Sequence, residues 1–329
     1  MWNFLLAFIP RAIVQGIPLL YGSTGEIITE KSGNLNLGIP GVMYVGAISG
    51  VIGSFFYERA VGSTGMNPVL AVLIPVLCCL LGSLLMGLLY CFLTVTLRAN
   101  QNVTGLALTI FGTGFGNFFG GSLSTLAGGV GQISVAITGD AYRAKIPLLS
   151  KIPVIGDIFF NYGFLTYFAI IITLLMAFFL KRTRWGLNLN AVGESPATAD
   201  AAGINVTLYK YLATVIGGGI AGLGGLYFVM EYSGGTWTNN GFGDRGWLAI
   251  ALVIFALWKP INAIWGSFLF GGLYILYLYI PGLGRSMQEI FKMLPYLVTI
   301  IVLIITSLRK KKEQQPPESL GLAYFREDR

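Results

Sequence analysis

Nine apolar stretches, each nearly free of charge through its middle, constrain this chain more than any other feature. They cover residues 4–28, 38–57, 69–97, 103–120, 164–181, 208–231, 245–258, 261–280 and 289–307. A helix needs about 20 apolar residues to cross the hydrocarbon core of a bilayer. The third stretch is long enough to tilt or protrude, while the fourth and seventh are short and suit re-entrant or broken helices. The expectation is an all-α integral membrane protein with eight to ten transmembrane helices. Composition agrees: 55% of the 329 residues are hydrophobic and 11% are Asp, Glu, Lys or Arg, against about 25% charged in soluble domains. That is too little charge to coat a soluble globule. A soluble enzyme, a disordered scaffold and a nucleic-acid binder are excluded.

Chemistry is restricted as well. The chain has no histidine, so it offers no imidazole base and no histidine metal ligand. Its three cysteines, Cys78, Cys79 and Cys91, lie in one apolar stretch and read as small packing residues rather than a disulfide or a metal site. The spans carry no paired carboxylates or lysines that would make a general acid–base pair. No phosphate-binding loop of the G-x-x-x-x-G-K-[ST] kind is present, so the chain is not itself an ATPase.

Positive charge sets orientation, because loops rich in Lys and Arg stay in the cytoplasm. Lys181, Arg182 and Arg184 open the 181–207 loop, and Arg309, Lys310, Lys311 and Lys312 open the tail. Both belong inside, and the four spans between them make the two placements consistent. Arg98 then falls inside, with the 58–67 and 121–162 loops outside; nine spans would put the N-terminus outside too. The division is a transmembrane domain over 1–308 and a polar tail over 309–329. That tail holds too little apolar surface to fold alone and reads as a solvated extension. The start of the chain lacks a basic region with a small-residue cleavage site, so no removable signal peptide is expected.

Glycines are spaced for close helix contacts. Gly112, Gly116 and Gly120 share one helix face, as do Gly218 and Gly222, with Ala221 and Gly225 beside them. Such spacing lets backbones approach in lipid, either within one bundle or at a subunit interface or path.

The 181–207 loop specifies a short helix. Ser195 suits the N-cap, Pro196 the first helical position and Gly203 the position past the end. Glu194, Ser195, Pro196, Ala197, Thr198, Ala199, Asp200, Ala201, Ala202 and Gly203 form a slim, small-residue element, suited to a partner's groove or to lying on its own membrane domain. Asp200 sits toward the negative end of the helix dipole, so helix stability does not explain it.

Other segments are candidates for a solute path. In EKSGNLNLGIPG, glycines and Pro40 interrupt helix while Asn34 and Asn36 alternate with leucines. Unwound backbone at membrane depth is tolerated where it lines a cavity or is buried in protein, and amides suit hydroxyls or base edges; a short cytoplasmic turn is the alternative. Glu26 either serves the path or ends a helix among headgroups. Asn100, Gln101 and Asn102 either cap a helix or face the path. Trp237, Asn239 and Asn240 offer a ring and amides for stacking and hydrogen bonding to a polar, uncharged solute, although an aromatic interface belt has the same composition.

Several of these segments carry a family resemblance. The stretch RTRWGLNLNAVGESPATADAAGINV resembles the cytoplasmic signature of permeases from the ribose/branched-chain amino acid branch of ABC importers. TEKSGNLNLGIPGVMYVGA (29–47), ANQNVTGLALTIFG (99–112) and GDRGWLAIALVIFALWKPINAIWGSFLFGG (243–272) fit the same branch in order. The ending LPYLVTIIVLIITSLRKKK is most similar to nucleoside-importer permeases that work with BMP-type lipoprotein receptors.

The resemblance implies an ABC permease bundle in a bacterial cell membrane, with its C-terminus in the cytoplasm. It further implies that residues 194–203 are the coupling helix, seated in a cleft of a cytoplasmic ABC ATPase. ATP and Mg would be bound by that partner, and no cofactor by this chain. A second permease subunit, most simply a homologous one, would complete the path. An external lipoprotein would dock on the outer side, with Lys145, Lys151 and Asp157 as candidate docking charges. It would deliver the solute, a purine nucleoside by this likeness and ribose or another sugar as the alternative. An ion-coupled secondary transporter is disfavoured, since such proteins place ionisable groups within their spans.

Overall fold

The computed structural model describes residues 2–62, 65–129, 131–145, 155–309 and 314–326. Lys151 and Lys310 to Lys312 lie outside them, and so does the side chain of Asp157.

The apolar stretches become helices. α1 (Trp2–Glu30), α2 (Ile39–Val61), α3 (Pro68–Cys91), α4 (Gln101–Leu126) and α7 (Phe164–Arg182) are the long helices of the first half. α3 runs on as a π-helical turn to Thr96. Between α4 and α7 lie strand β1 (Gln132–Ser134) and the short helices α5 (Ala136–Tyr142) and α6 (Ile155–Phe159). The 181–207 loop holds α8 (Arg184–Glu194) and α9 (Pro196–Ala201). α10 (Val206–Tyr227) continues as a π-helical turn to Tyr232, followed by strand β2 (Thr236–Thr238). α11 (Arg245–Phe255), α12 (Pro260–Ile275), α13 (Arg285–Lys292) and α14 (Leu294–Arg309) complete the bundle.

Among the described residues seven helices are long and apolar enough to cross a membrane, slightly below the eight to ten expected. α1, at 29 residues, is a further long helix. The 245–258 stretch also falls outside the seven: α11 has only 11 residues and stops where Leu257 and Trp258 turn to positive φ. The fourth stretch corrects the expectation. Rather than breaking, it extends to Leu126 as a 26-residue helix, so the first part of the presumed outer loop is helical.

α1, α2 and α10 form the centre. α2 and α10 are 78% and 83% buried over their apolar windows, whereas the window of α14 is 11% buried. Leu77, Leu81 and Leu85 of α3 and Ile171, Leu175 and Phe178 of α7 point outward, as residues facing lipid tails should.

The glycine stripes resolve in favour of packing inside the subunit. A Cβ on Gly112 would come 2.4 Å from the Gly41 carbonyl oxygen, and one on Gly116 would come 2.7 Å from the Tyr44 ring. Gly222 likewise faces Ser83 and Gly46.

The bundle has two distinct ends. At one, β1 pairs antiparallel with β2, Ile133 opposite Trp237; Glu58 there accepts the Thr138 amide and Arg59 reaches the Leu126 carbonyl. The other end gathers the α1–α2 turn, Arg98, α8, α9 and the C-terminal residues.

The tail departs most from expectation. Residues 314–326 pack on the bundle instead of extending into solvent. Ser319 donates through its amide and hydroxyl to the Gly193 carbonyl at 3.1 and 2.5 Å. The Gly321 amide reaches the Gly33 carbonyl at 3.1 Å, and Gln101 donates to the Leu322 carbonyl at 3.4 Å. Leu320 packs on the main core, and Tyr324 packs on Val192, Ala199 and Val206. The short segment folds because the bundle supplies the apolar surface it lacks.

Candidate functional site

Local chemistry builds α9 as the sequence requires. Ser195, extended at φ −148°, accepts the Thr198 amide as N-cap, Pro196 opens the helix, and Gly203 turns the chain at φ +83°. Ala199 is buried against Val192 and Val206. Glu194, Ala197, Thr198, Ala201, Ala202 and Gly203 are exposed, with Ser195, Pro196 and Asp200 intermediate. α9 is therefore anchored by one alanine and presents a small-residue face outward. Asp200 is held from the tail: it accepts the Tyr324 hydroxyl at 2.8 Å and pairs with Arg326 at 3.2 Å.

The α1–α2 turn sits beside α8 and α9. Its backbone has no helix or sheet to satisfy it, and side chains take that role. Glu26 accepts the Asn36 amide at 2.9 Å, and Gln101 accepts the Leu35 amide at 2.7 Å. Asn36 accepts the Gly38 amide at 2.9 Å, Thr109 donates to the Leu37 carbonyl at 2.7 Å, and Tyr90 donates to the Leu35 carbonyl. Asn34 donates to Thr214 at 3.0 Å. Glu26, Asn34 and Asn36 are all fully buried. Oδ1 of Asn34 and Nδ2 of Asn36 are left without a partner, while the Glu26 carboxyl meets that of Glu30 side chain to side chain.

Glu26 thus lies inside the protein, not among headgroups. Beside it Glu30 accepts the indole N–H of Trp258, which α11's abrupt stop brings into the interior. Lys31 follows in the turn, where burial pulls its ammonium below the usual value and Glu194 opposes the shift.

The other candidates divide. Gln101 belongs to this turn, whereas Asn100 is exposed and caps α4 by accepting the Val103 amide at 3.1 Å. Asn102 is exposed. Trp237, Asn239 and Asn240 lie at the opposite, hairpin end. The Trp237 indole donates to Asn239 at 3.1 Å, and its ring meets Tyr44 edge-on at 5.7 Å. Asn240, at φ 57°, exchanges two hydrogen bonds with Asn117. Gln101 and Gly120, which touch the two groups, are 19 residues apart on α4, roughly 28 Å by helical rise. The candidates form two braces at opposite ends, not one pocket.

Two further charges stand out, Arg245 at the end of the 232–245 segment and the half-buried Glu231, which the sequence reading missed. Arg245 is buried among Phe228, Tyr232 and Tyr274, 4.5 to 5.6 Å from their ring centres, and donates to the Phe242 carbonyl and Gln15. Glu231 accepts the Leu165 amide at 2.9 Å and the Thr166 hydroxyl at 3.2 Å. These ionisable groups, like Glu26 and Glu30, sit at helix ends, where hydropathy cannot distinguish a brace from a flanking charge.

Comparison with known proteins places this geometry. The chain is 34% identical over 304 residues to the nucleoside ABC transporter permease protein NupC of Lactococcus lactis, covering 91% of this chain and 92% of that one. It is 30% identical to the guanosine ABC transporter permease protein NupQ of Bacillus subtilis, covering 91% of each. It is 32% identical to the putative glucose ABC transporter permease protein TsgC13 of Haloferax volcanii, again over 91% of each. No solved structure matches. Residues 8–303 match the family model described as branched-chain amino acid transport system / permease component, and the chain belongs to that family of multi-pass membrane permeases.

Proposed function

We propose that this chain is the membrane permease subunit of an ATP-driven ABC importer and forms half of a path for nucleosides, of the purine class. The observation that carries the mechanism is α9: a capped helix, fixed by Ala199, with a slim outward face and a tail strapped to Asp200. In this reading residues 194–203 seat in a cytoplasmic ABC ATPase, so α9, the tail and the α1–α2 turn lie at the cytoplasmic end. The positive charge of the 181–207 loop and of the tail supports that orientation. ATP and Mg belong to the ATPase, and this chain does no covalent chemistry.

Rearrangement of the α1–α2 turn would release Glu26, Asn34 and Asn36 toward a solute rich in hydroxyls and ring nitrogens. The unspent amide atoms of Asn34 and Asn36 support a path role for that turn. Trp237, Asn239 and Asn240 would serve the outer mouth, facing an external substrate-binding lipoprotein. A second permease, most simply a homologue, would complete the path. α4 offers it a face on which Ala107 is exposed and Gly114 and Gly121 have open space at the Cβ position, as close helix association in lipid requires.

The nucleoside substrate rests on the names of NupC and NupQ. A sugar has TsgC13 behind it and is the second reading. Competition decides between them in cells that make the whole importer. Unlabelled nucleosides should suppress uptake of labelled guanosine while ribose and glucose leave it unchanged. Labelled sugar uptake that nucleosides do not suppress would reverse the assignment.

A further inference from the structure

A cavity of about 880 Å3 opens at the tail end, between the end of α3, the start of α10 and the docked tail. Arg98, Asp200, Asn205, Lys210, Tyr324 and Arg326 are among the side chains that line it. Among the described residues its charge is unbalanced. Asp200 is the acid at the wall and is already engaged by Tyr324 and Arg326. Lys210, in the first turn of α10, is only 3% exposed, and no carboxylate pairs with it among the described residues. An ammonium stripped of water without a counter-charge is expensive.

The surrounding groups share its preference for an anion. Asn205 takes the Leu208 amide at 3.0 Å. The two preceding amides, of Val206 and Thr207, make no hydrogen bond among the described residues, leaving the positive end of a 22-residue helix partly unspent. Arg98 stands in the left-handed region at φ 56° with its guanidinium 4.6 Å from the centre of the Phe325 ring. This backbone conformation is costly for a residue with a side chain, and here it brings a second cation to the rim.

We infer that this cavity binds a phosphate-type oxyanion, held by the Lys210 ammonium, the Arg98 guanidinium and the amides that open α10. Two sources share that chemistry. One is the headgroup of an anionic phospholipid, whose acyl chains would run along Leu97, Leu208 and Leu212, exposed beside the cavity. The other is a soluble phosphate. Neither depends on which solute the permease carries or on the role of α9.

The test is thermal unfolding of the full chain in neutral detergent, titrated separately with inorganic phosphate, phosphatidylglycerol and phosphatidylcholine. A saturable rise in midpoint with phosphatidylglycerol alone identifies a headgroup; a rise with phosphate as well identifies a soluble oxyanion. Lys210→Met removes the buried charge at similar volume and should weaken the response about tenfold or more, the worth of a charge-assisted hydrogen bond. Arg98→Gln, at an exposed position, should weaken it as well and decides the matter if Lys210→Met does not fold. The inference is overturned if neither anion raises the midpoint, if phosphatidylcholine raises it equally, or if the variants titrate like the native chain.

Discussion

The hydroxyl of Tyr324 donates to Oδ2 of Asp200 at 2.8 Å, joining the end of the chain to α9 across 124 residues. With Ser319 on Gly193 and Gly321 on Gly33, the tail forms a strap between α9 and the α1–α2 turn. Hydrogen bonds as well as packing thus join α9 to the turn that holds Asn34 and Asn36.

Tyr324→Phe keeps the ring and removes this bond. A hydrogen bond to a charged group is worth about 1.5–3 kcal/mol when shielded; the lower end applies here because the carboxylate is partly solvated. Amide exchange at Ser319 and Gly321 should accelerate about tenfold, read by hydrogen–deuterium exchange on the purified chain. Unchanged protection would mean that the strap holds without the Tyr324 hydroxyl, the Arg326 pair with Asp200 sufficing.

Ser195→Ala should fray α9, since an N-cap of this kind is worth about 1 kcal/mol. The expected outcome is faster exchange at the Thr198 amide and slower uptake at equal membrane abundance. Ser195→Asp, which can still cap, should restore both. Loss of uptake in both variants with α9 intact would point to recognition of the serine itself.

Gly25 and Gly217 occupy each other's space: a Cβ on either would fall 2.2–2.4 Å from the other's carbonyl oxygen. Gly217→Ala should destabilise the chain by about 1–3 kcal/mol through overpacking at the α1–α10 contact. Gly284→Ala, where nothing lies within 4 Å, should leave the unfolding midpoint nearly unchanged. Equal midpoints for the two variants would count against the tight crossing.

Trp258→Phe removes the indole donor from Glu30 while both groups stay buried. An unsatisfied buried partner costs about 1–3 kcal/mol, more if charged. The midpoint should fall, and fall by less when Glu30→Gln is already present. Equal losses in the two backgrounds would show that Trp258 acts through packing alone.

What was legible in the sequence was local. Ser195, Pro196 and Gly203 specify the two ends of α9 within nine residues, and the apolar runs mark most helices. The tail was misread because its apolar side chains, Leu320 and Tyr324, are too few to form a core and are covered only by distant elements. Trp237 and Asn240 read as a solute site from composition, yet here each is bonded within the hairpin or to α4. The glycine stripes showed close contact but not the partner, since Gly41 is 71 positions from Gly112. Lys210 gave no signal, because one chain position carries no information about the cavity beside it.

The account stands or falls on α9 as the link to an ATPase. The direct measurement is ATP-dependent nucleoside uptake by the complete importer, comparing the native permease with a variant in which residues 194–203 are scrambled, at equal abundance in the membrane. Uptake should collapse while the permease remains folded; normal uptake by the scrambled variant would contradict the account.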